Sequence, residues 1–127
     1  MSDHPDDYPD INNPAILNLI RIGGKDLVLQ IIALYRKHMP QKIERLSVFA
    51  QSGFAPDTLE ETERLAHSIK SSAGNLGLSE VLTGALHLEK AAASDSSSQC
   101  LSAFEELDTA SKDAEHVLVT LEKQLQP

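Results

Sequence analysis

The stretch Ala66-His67-Ser68-Ile69-Lys70-Ser71-Ser72-Ala73-Gly74-Asn75-Leu76-Gly77-Leu78 decides how this chain is read. At about 100° per residue, Leu65, Ile69, Ser72 and Leu76 fall on one face of a helix, with Ala66 and Ala73 at its borders. His67 points away from that face. Lys70, three residues on, is its surface neighbour, and Ser71 and Gly74 at i+4 and i+7 are small. The pattern predicts a solvent-facing imidazole beside a cation, on a patch of helix that another protein can approach closely.

Outward from this stretch the chain reads as helices. Asn13 is a suitable N-cap, with Pro14 at the first helical position. A short helix carrying Ile16, Leu17, Leu19 and Ile20 is expected to stop at Gly23-Gly24. A long helix, roughly 25–51, follows. Its first half, Leu27 to Leu34, is apolar nearly all round, which predicts cover on more than one side. Pro40 is expected to kink it or shift its ladder. Asp57 or Thr58 can cap the helix that carries His67, with Glu60 and Glu61 in its first turn where the dipole favours acids. Gly77 closes that helix, and residues 79–93 form the next, with Val81, Leu82, Ala85, Leu88 and Ala92 on one face. Asp95-Ser96-Ser97-Ser98 reads as a polar loop. The last helix, about 99–125, sets Phe104, Leu107, Ser111, Ala114, Leu118, Leu121 and Leu125 in a near-heptad seam. No segment alternates long enough to be a strand. Short loops force antiparallel neighbours, so the fold class is all-α: an up-down-up-down four-helix bundle over residues 13–126 with a short additional N-terminal helix. Residues 1–12, acidic and interrupted by Pro5 and Pro9, read as a flexible lead-in.

Composition narrows the function. The 127 residues carry a net charge of −8 and only three Phe, two Tyr and no Trp. An acidic chain without a cationic stripe does not suit nucleic acid or an anionic membrane surface. No apolar run approaches the length of a membrane span. The single Cys100 rules out a disulfide framework and points to the reducing cytoplasm.

An imidazole is a competent nucleophile near pH 7, and it can take up a phosphoryl group and release it again. Transfer depends mainly on positioning and charge neutralisation, for which Lys70 is placed to attract phosphoryl oxygens. Glu63, at i−4, can orient the ring or accept a proton. No glycine-rich phosphate-binding loop is present, so a phosphoryl group would have to come from another protein. Glu89 projects toward the apolar side of its own helix. Its preferred reading is a side chain running along the bundle edge to water; the alternative is a hydrogen bond near the imidazole, behind the reacting group. His4, His38, His87 and His116 lack the combination of small neighbours and a cation. A di-iron site needs two Glu-x-x-His pairs, and Asp113-Ala114-Glu115-His116 offers one approximation; zinc needs convergent Cys and His, and Cys100 has no His nearby in sequence. No metal site is expected. A serine hydrolase built on Ser68, Ser71 or Ser72 lacks an oxyanion hole and a nucleophile elbow.

The segment from His67 to Leu78 resembles the signature of histidine-containing phosphotransfer (HPt) domains. In that family the phosphorylated His is followed by an aliphatic residue at +2, Lys at +3, small residues at +4 to +6, and an aliphatic-Gly pair at +9 and +10. Here those are Ile69, Lys70, Ser71, Ser72, Ala73, Leu76 and Gly77. Many members carry Gly at +4, where this chain has Ser71. The resemblance extends to Ile22-Gly23-Gly24-Lys25-Asp26-Leu27 and His38-Met39-Pro40, and so to about residues 11–125. It implies a four-helix bundle, His67 as phosphoacceptor through Nε2 and Lys70 as the group that holds the phosphoryl. It also implies two partners, the receiver domain of a hybrid histidine kinase and that of a response regulator, with the receivers supplying Mg²⁺. The chain itself would bind no cofactor and act as a monomer. Glu63, Arg64, Ser68, Ser71 and Gly74 are the expected docking residues. With no kinase or receiver sequence attached, a free-standing shuttle is expected, an excised terminal domain of a hybrid kinase being the other origin. The competing class is an interaction module that binds a signalling partner without carrying phosphate.

Overall fold

The structure, a computed structural model, describes residues 3–126. Four α-helices follow one another: α1 (Pro14–Gln51), α2 (Leu59–Asn75), α3 (Ser79–Ala93) and α4 (Ser97–Leu125). Among the described residues there is no strand. The helices pack in sequence, α2 on α3 and α3 on α4 most extensively, and α1 closes the bundle against α2 and α4.

The expected short helix and long helix are the two arms of α1. They meet at Gly24, whose φ of 73° and ψ of −174° make the single non-helical step inside the element. Positive φ with an extended ψ is a region essentially confined to glycine, and a Cβ here would strike the side chain of Asp3. Pro40 breaks no dihedral: the backbone stays helical through it. Its ring lies on the exposed side, where the hydrogen bond it cannot make leaves a carbonyl facing water. Cover over the first half of the long arm buries Val28 and Ile32 and half-buries Leu29 and Ile31, but it does not reach Leu34, which is 55% exposed.

The helix ends differ from expectation in detail. Asn13 caps α1 by accepting from the Ile16 N–H at 3.2 Å. Neither Asp57 nor Thr58 caps α2 through its side chain; a 3-10 turn, Pro56–Thr58, leads directly into it, and Thr58 Oγ1 donates back to the Ala55 carbonyl at 2.7 Å. Ser96 caps α4, which therefore starts inside the serine run rather than after it. The seam on α4 is as read, with Phe104, Leu107, Ala114, Leu118, Leu121 and Leu125 buried and Ser111 half-buried.

The lead-in is not free of the bundle. Residues Pro5–Asp7 form a 3-10 turn closed by a reciprocal capping pair between His4 and Asp7. Pro5 and Ile11 are buried, Tyr8 packs on the core, and Gln124 on α4 donates to the Asp10 carbonyl at 3.2 Å. Apolar Ile11 and the Tyr8 ring, among so many acids, drive this docking. The first two residues of the expected lead-in lie outside the described residues.

Asn13 also locks the C-terminal end of the motif stretch to the start of α1. Its Nδ2 donates to the Leu76 carbonyl at 3.0 Å, just where α2 turns into α3. Gly77 sits in that turn at φ 65°, and any Cβ there would meet the Asn13 amide. The core of α2 faces inward through Thr62, Ala66, Ile69, Ala73 and then Leu76, all fully buried. Alanines at this interface let α2 and α3 approach closely, which brings side chains on their outer edges within reach of one another.

Candidate functional site

The packing that buries Ile69 turns His67 outward: its side chain is 63% exposed. Lys70 and Glu89 stand on the edges of α2 and α3 that face each other across the helix interface. The three meet in one chain of contacts. His67 Nδ1 lies 2.7 Å from Glu89 Oε2, and Lys70 Nζ donates to Glu89 Oε1 at 2.6 Å. The Lys70 ammonium, and after it the imidazole, hold the Glu89 carboxyl below the usual carboxylate range, against the opposite pull of burial. Glu89 is therefore ionised and accepts hydrogen bonds without donating any. The proton of a neutral His67 ring then belongs on Nδ1, which leaves the Nε2 lone pair directed to solvent.

This corrects two readings made from sequence. Glu89 does not simply run to water; its side chain is only 18% exposed and is held between two partners. Glu63 makes no hydrogen bond to the ring among the described residues, so the orienting carboxylate comes from the next helix rather than from one turn earlier. Lys70 is 27% exposed, more covered than a residue on an open face.

The remaining residues surround the imidazole. Arg64 and Ser71 are exposed, and Glu63, Ser68 and Gly74 are half-buried. Ser68 Oγ accepts from Lys42 Nζ of α1 at 2.8 Å. Lys42 escaped the sequence reading: it lies on another helix, and only the register between α1 and α2 brings it here. On α1, Arg45 pairs with Glu61 at 2.7 Å. His67 stands exposed on the outer face of α2. An open cleft of about 610 Å³, lined by Glu80, Thr83, Glu105 and Asp113 among others, lies between α3 and α4 and includes none of these residues. Such a face suits a second protein better than a small molecule. Among the described residues no three His, Cys, Asp or Glu side chains gather as a metal-binding group, and no helix is long and apolar enough to cross a membrane.

No curated protein and no solved structure matches the chain significantly. A family model does: the Hpt domain matches residues 30–125, from the middle of α1 to the end of α4. The Gly23-Gly24 break and everything before it lie outside the match. Hpt domains are phosphoryl carriers of phosphorelay signalling that work with the receiver domains of two-component proteins. With an all-helical bundle and most of its length matched, the chain belongs to the Hpt domain family, and it is a histidine phosphotransfer module.

Proposed function

We propose that His67 is the phosphoacceptor. The receiver domain of a hybrid kinase, phosphorylated on Asp, docks over the His67 face, and the Nε2 lone pair attacks phosphorus in line. The P–N bond forms as the P–O bond breaks, and the electron pair leaves with the receiver's carboxylate. No proton need move, because Nδ1 keeps its hydrogen and Glu89 offsets the positive charge that develops on the ring. Reversal onto the Asp of a response regulator completes the relay. Mg²⁺ and most catalytic groups come from the receiver, while this chain supplies a positioned nucleophile and Lys70 beside the phosphoryl oxygens. Glu63, Arg64, Ser68, Ser71 and Gly74 line the docking face. The relay runs in the cytoplasm with the chain as a monomer; the buried free thiol of Cys100 is compatible with that compartment.

The observation that supports this reading most is the Glu89 hydrogen bond to Nδ1, which selects the nucleophilic tautomer at Nε2. Incubation with a phosphorylated receiver is expected to give an acid-labile, base-stable label on the chain. His67→Gln is expected to abolish it. A label that resists acid, or one that survives the substitution, would falsify the assignment.

A further inference from the structure

Among the described residues, two cations near His67 have no carboxylate partner: Arg64, which is exposed to water, and Lys42, which is half-buried. Arg36, Arg45, Lys70 and Lys112 all pair with carboxylates. Lys42 does not, among the described residues, although it is half-buried and the chain is strongly acidic. Its recorded partner is the neutral hydroxyl of Ser68, at 2.8 Å. Burial pulls the ammonium below its ordinary pKa, with no neighbouring acid to offset the shift. A half-buried charge with one neutral partner is costly, and it gains by exchanging a hydroxyl for a charged oxygen.

His67 lies where such an oxygen would arrive. Ser68 is its chain neighbour, with Cα atoms about 3.8 Å apart. It occupies the flank of α2 that faces α1, away from Glu89. The imidazole thus stands between two lysines, Lys70 toward α3 and Lys42 toward α1. Lys70 is already neutralised by Glu89. A phosphoryl group on Nε2 would bring close to two further negative charges; the ring that keeps its Nδ1 hydrogen offsets one of them, and the Glu89–Lys70 pair has no net charge to set against the other.

Resting on the phosphoacceptor reading of His67, we propose that Lys42 is a second phosphoryl-binding residue, stored on Ser68 and turned to the phosphoryl oxygens once His67 is modified. The ammonium swings on a flexible four-carbon stem, so the change requires no movement of the backbone. In this arrangement the unmodified site keeps Lys42 ready, and the modified site closes its charge from both flanks.

Phosphoramidate tests this without a receiver, so docking does not enter. The intact chain is phosphorylated at His67, and the pKa of the phosphoryl group is read by phosphorus NMR. Lys42→Met is expected to raise that pKa by about half a unit, the size expected of one partly exposed ion pair. Lys42→Arg is expected to restore the wild-type value. Ser68→Ala removes the resting partner but keeps the cation, and should leave the pKa at or below wild type. Lys42→Met removes a half-buried charge, so its helix content by circular dichroism should be unchanged. A wild-type pKa in Lys42→Met overturns the proposal, as does an equal rise in all three variants, which would point to packing of the α1–α2 flank. If wild type takes up no phosphoryl at His67, the carrier reading fails and this proposal with it. If the label appears but ignores Lys42, this proposal alone fails.

Discussion

The two faces of α2 are built from the same seventeen residues and obey opposite rules. Inward, Ala66, Ile69 and Ala73 are completely buried, and the helix carries only one buried polar residue, Thr62. That hydroxyl is satisfied one turn earlier, donating to the Thr58 carbonyl at the entry to α2 at 2.9 Å. Outward, His67 meets water beside small Ser71, and its polar neighbours are tied to α3 on one side and to α1 on the other. The inner face fixes position through packing; the outer face uses that position to aim a nitrogen. A change on the inner face should therefore cost stability, and one on the outer face should cost transfer.

The largest effect is expected from Ile69→Asp. An unpaired carboxylate in a site with no exposure costs about 4 kcal/mol or more, a large part of the stability of an ordinary domain. Loss of the cooperative thermal transition is the expected outcome, and a barely shifted melt would show that the phase of α2 is wrong. Gly77→Ala comes next. Left-handed φ costs an L-residue about 1–2 kcal/mol, and the added Cβ must also displace the Asn13 side chain. We expect a loss of about 2–3 kcal/mol in denaturant unfolding, with the label on His67 retained in whatever fraction is folded.

The motif that made this chain readable mixes both faces. Ile69, Ala73, Leu76 and Gly77 belong to the bundle: three fill the core and the fourth holds a turn. Only His67 and Lys70 belong to the proposed phosphoryl site. Periodicity of 3.6 finds which residues of one helix share a face, so the exposure of His67, the helix count and the α4 seam could all be read from sequence. It says nothing of the rotation of one helix against another. The Glu89 contact and the Lys42 contact both cross such an interface, and one was under-rated and the other missed. The segment before Asn13 was misjudged for a different reason: its acids dominate the composition, while two apolar residues, Tyr8 and Ile11, determine its docking.

On the outer face the effects are smaller in stability and larger in rate. Lys70→Ala should keep the fold. Transfer from a phosphorylated receiver should fall about tenfold, as expected for one charge-assisted contact. Unchanged kinetics would reduce Lys70 to a solubilising charge. Glu89→Gln gives a pH test. The carboxyl is depressed in the folded state, so its contribution is full above the unfolded value of about 4.3 and is lost as pH falls through the folded value. The stability difference between wild type and Glu89→Gln should hold near 1 kcal/mol above about pH 5 and close as pH drops below about 4. A gap that persists at low pH would mean that Glu89 acts through packing.

The smallest structural effect, and the sharpest test of the comparison, is Gly74→Ala. Gly74 lies on the outer side of α2 two turns beyond His67, and an added Cβ meets only Leu82 Cδ1, at an ordinary 3.5 Å. Its backbone is helical, so alanine removes chain entropy from the unfolded state and should stabilise the bundle by about 0.5–1 kcal/mol. Packing therefore gives no reason for glycine here. If the small residue serves a partner's approach, the variant will melt higher yet accept phosphoryl more slowly from a receiver, while phosphoramidate labels it at the wild-type rate. Equal rates from both donors would remove Gly74 from the docking face and confine that face to the ring and its flanks.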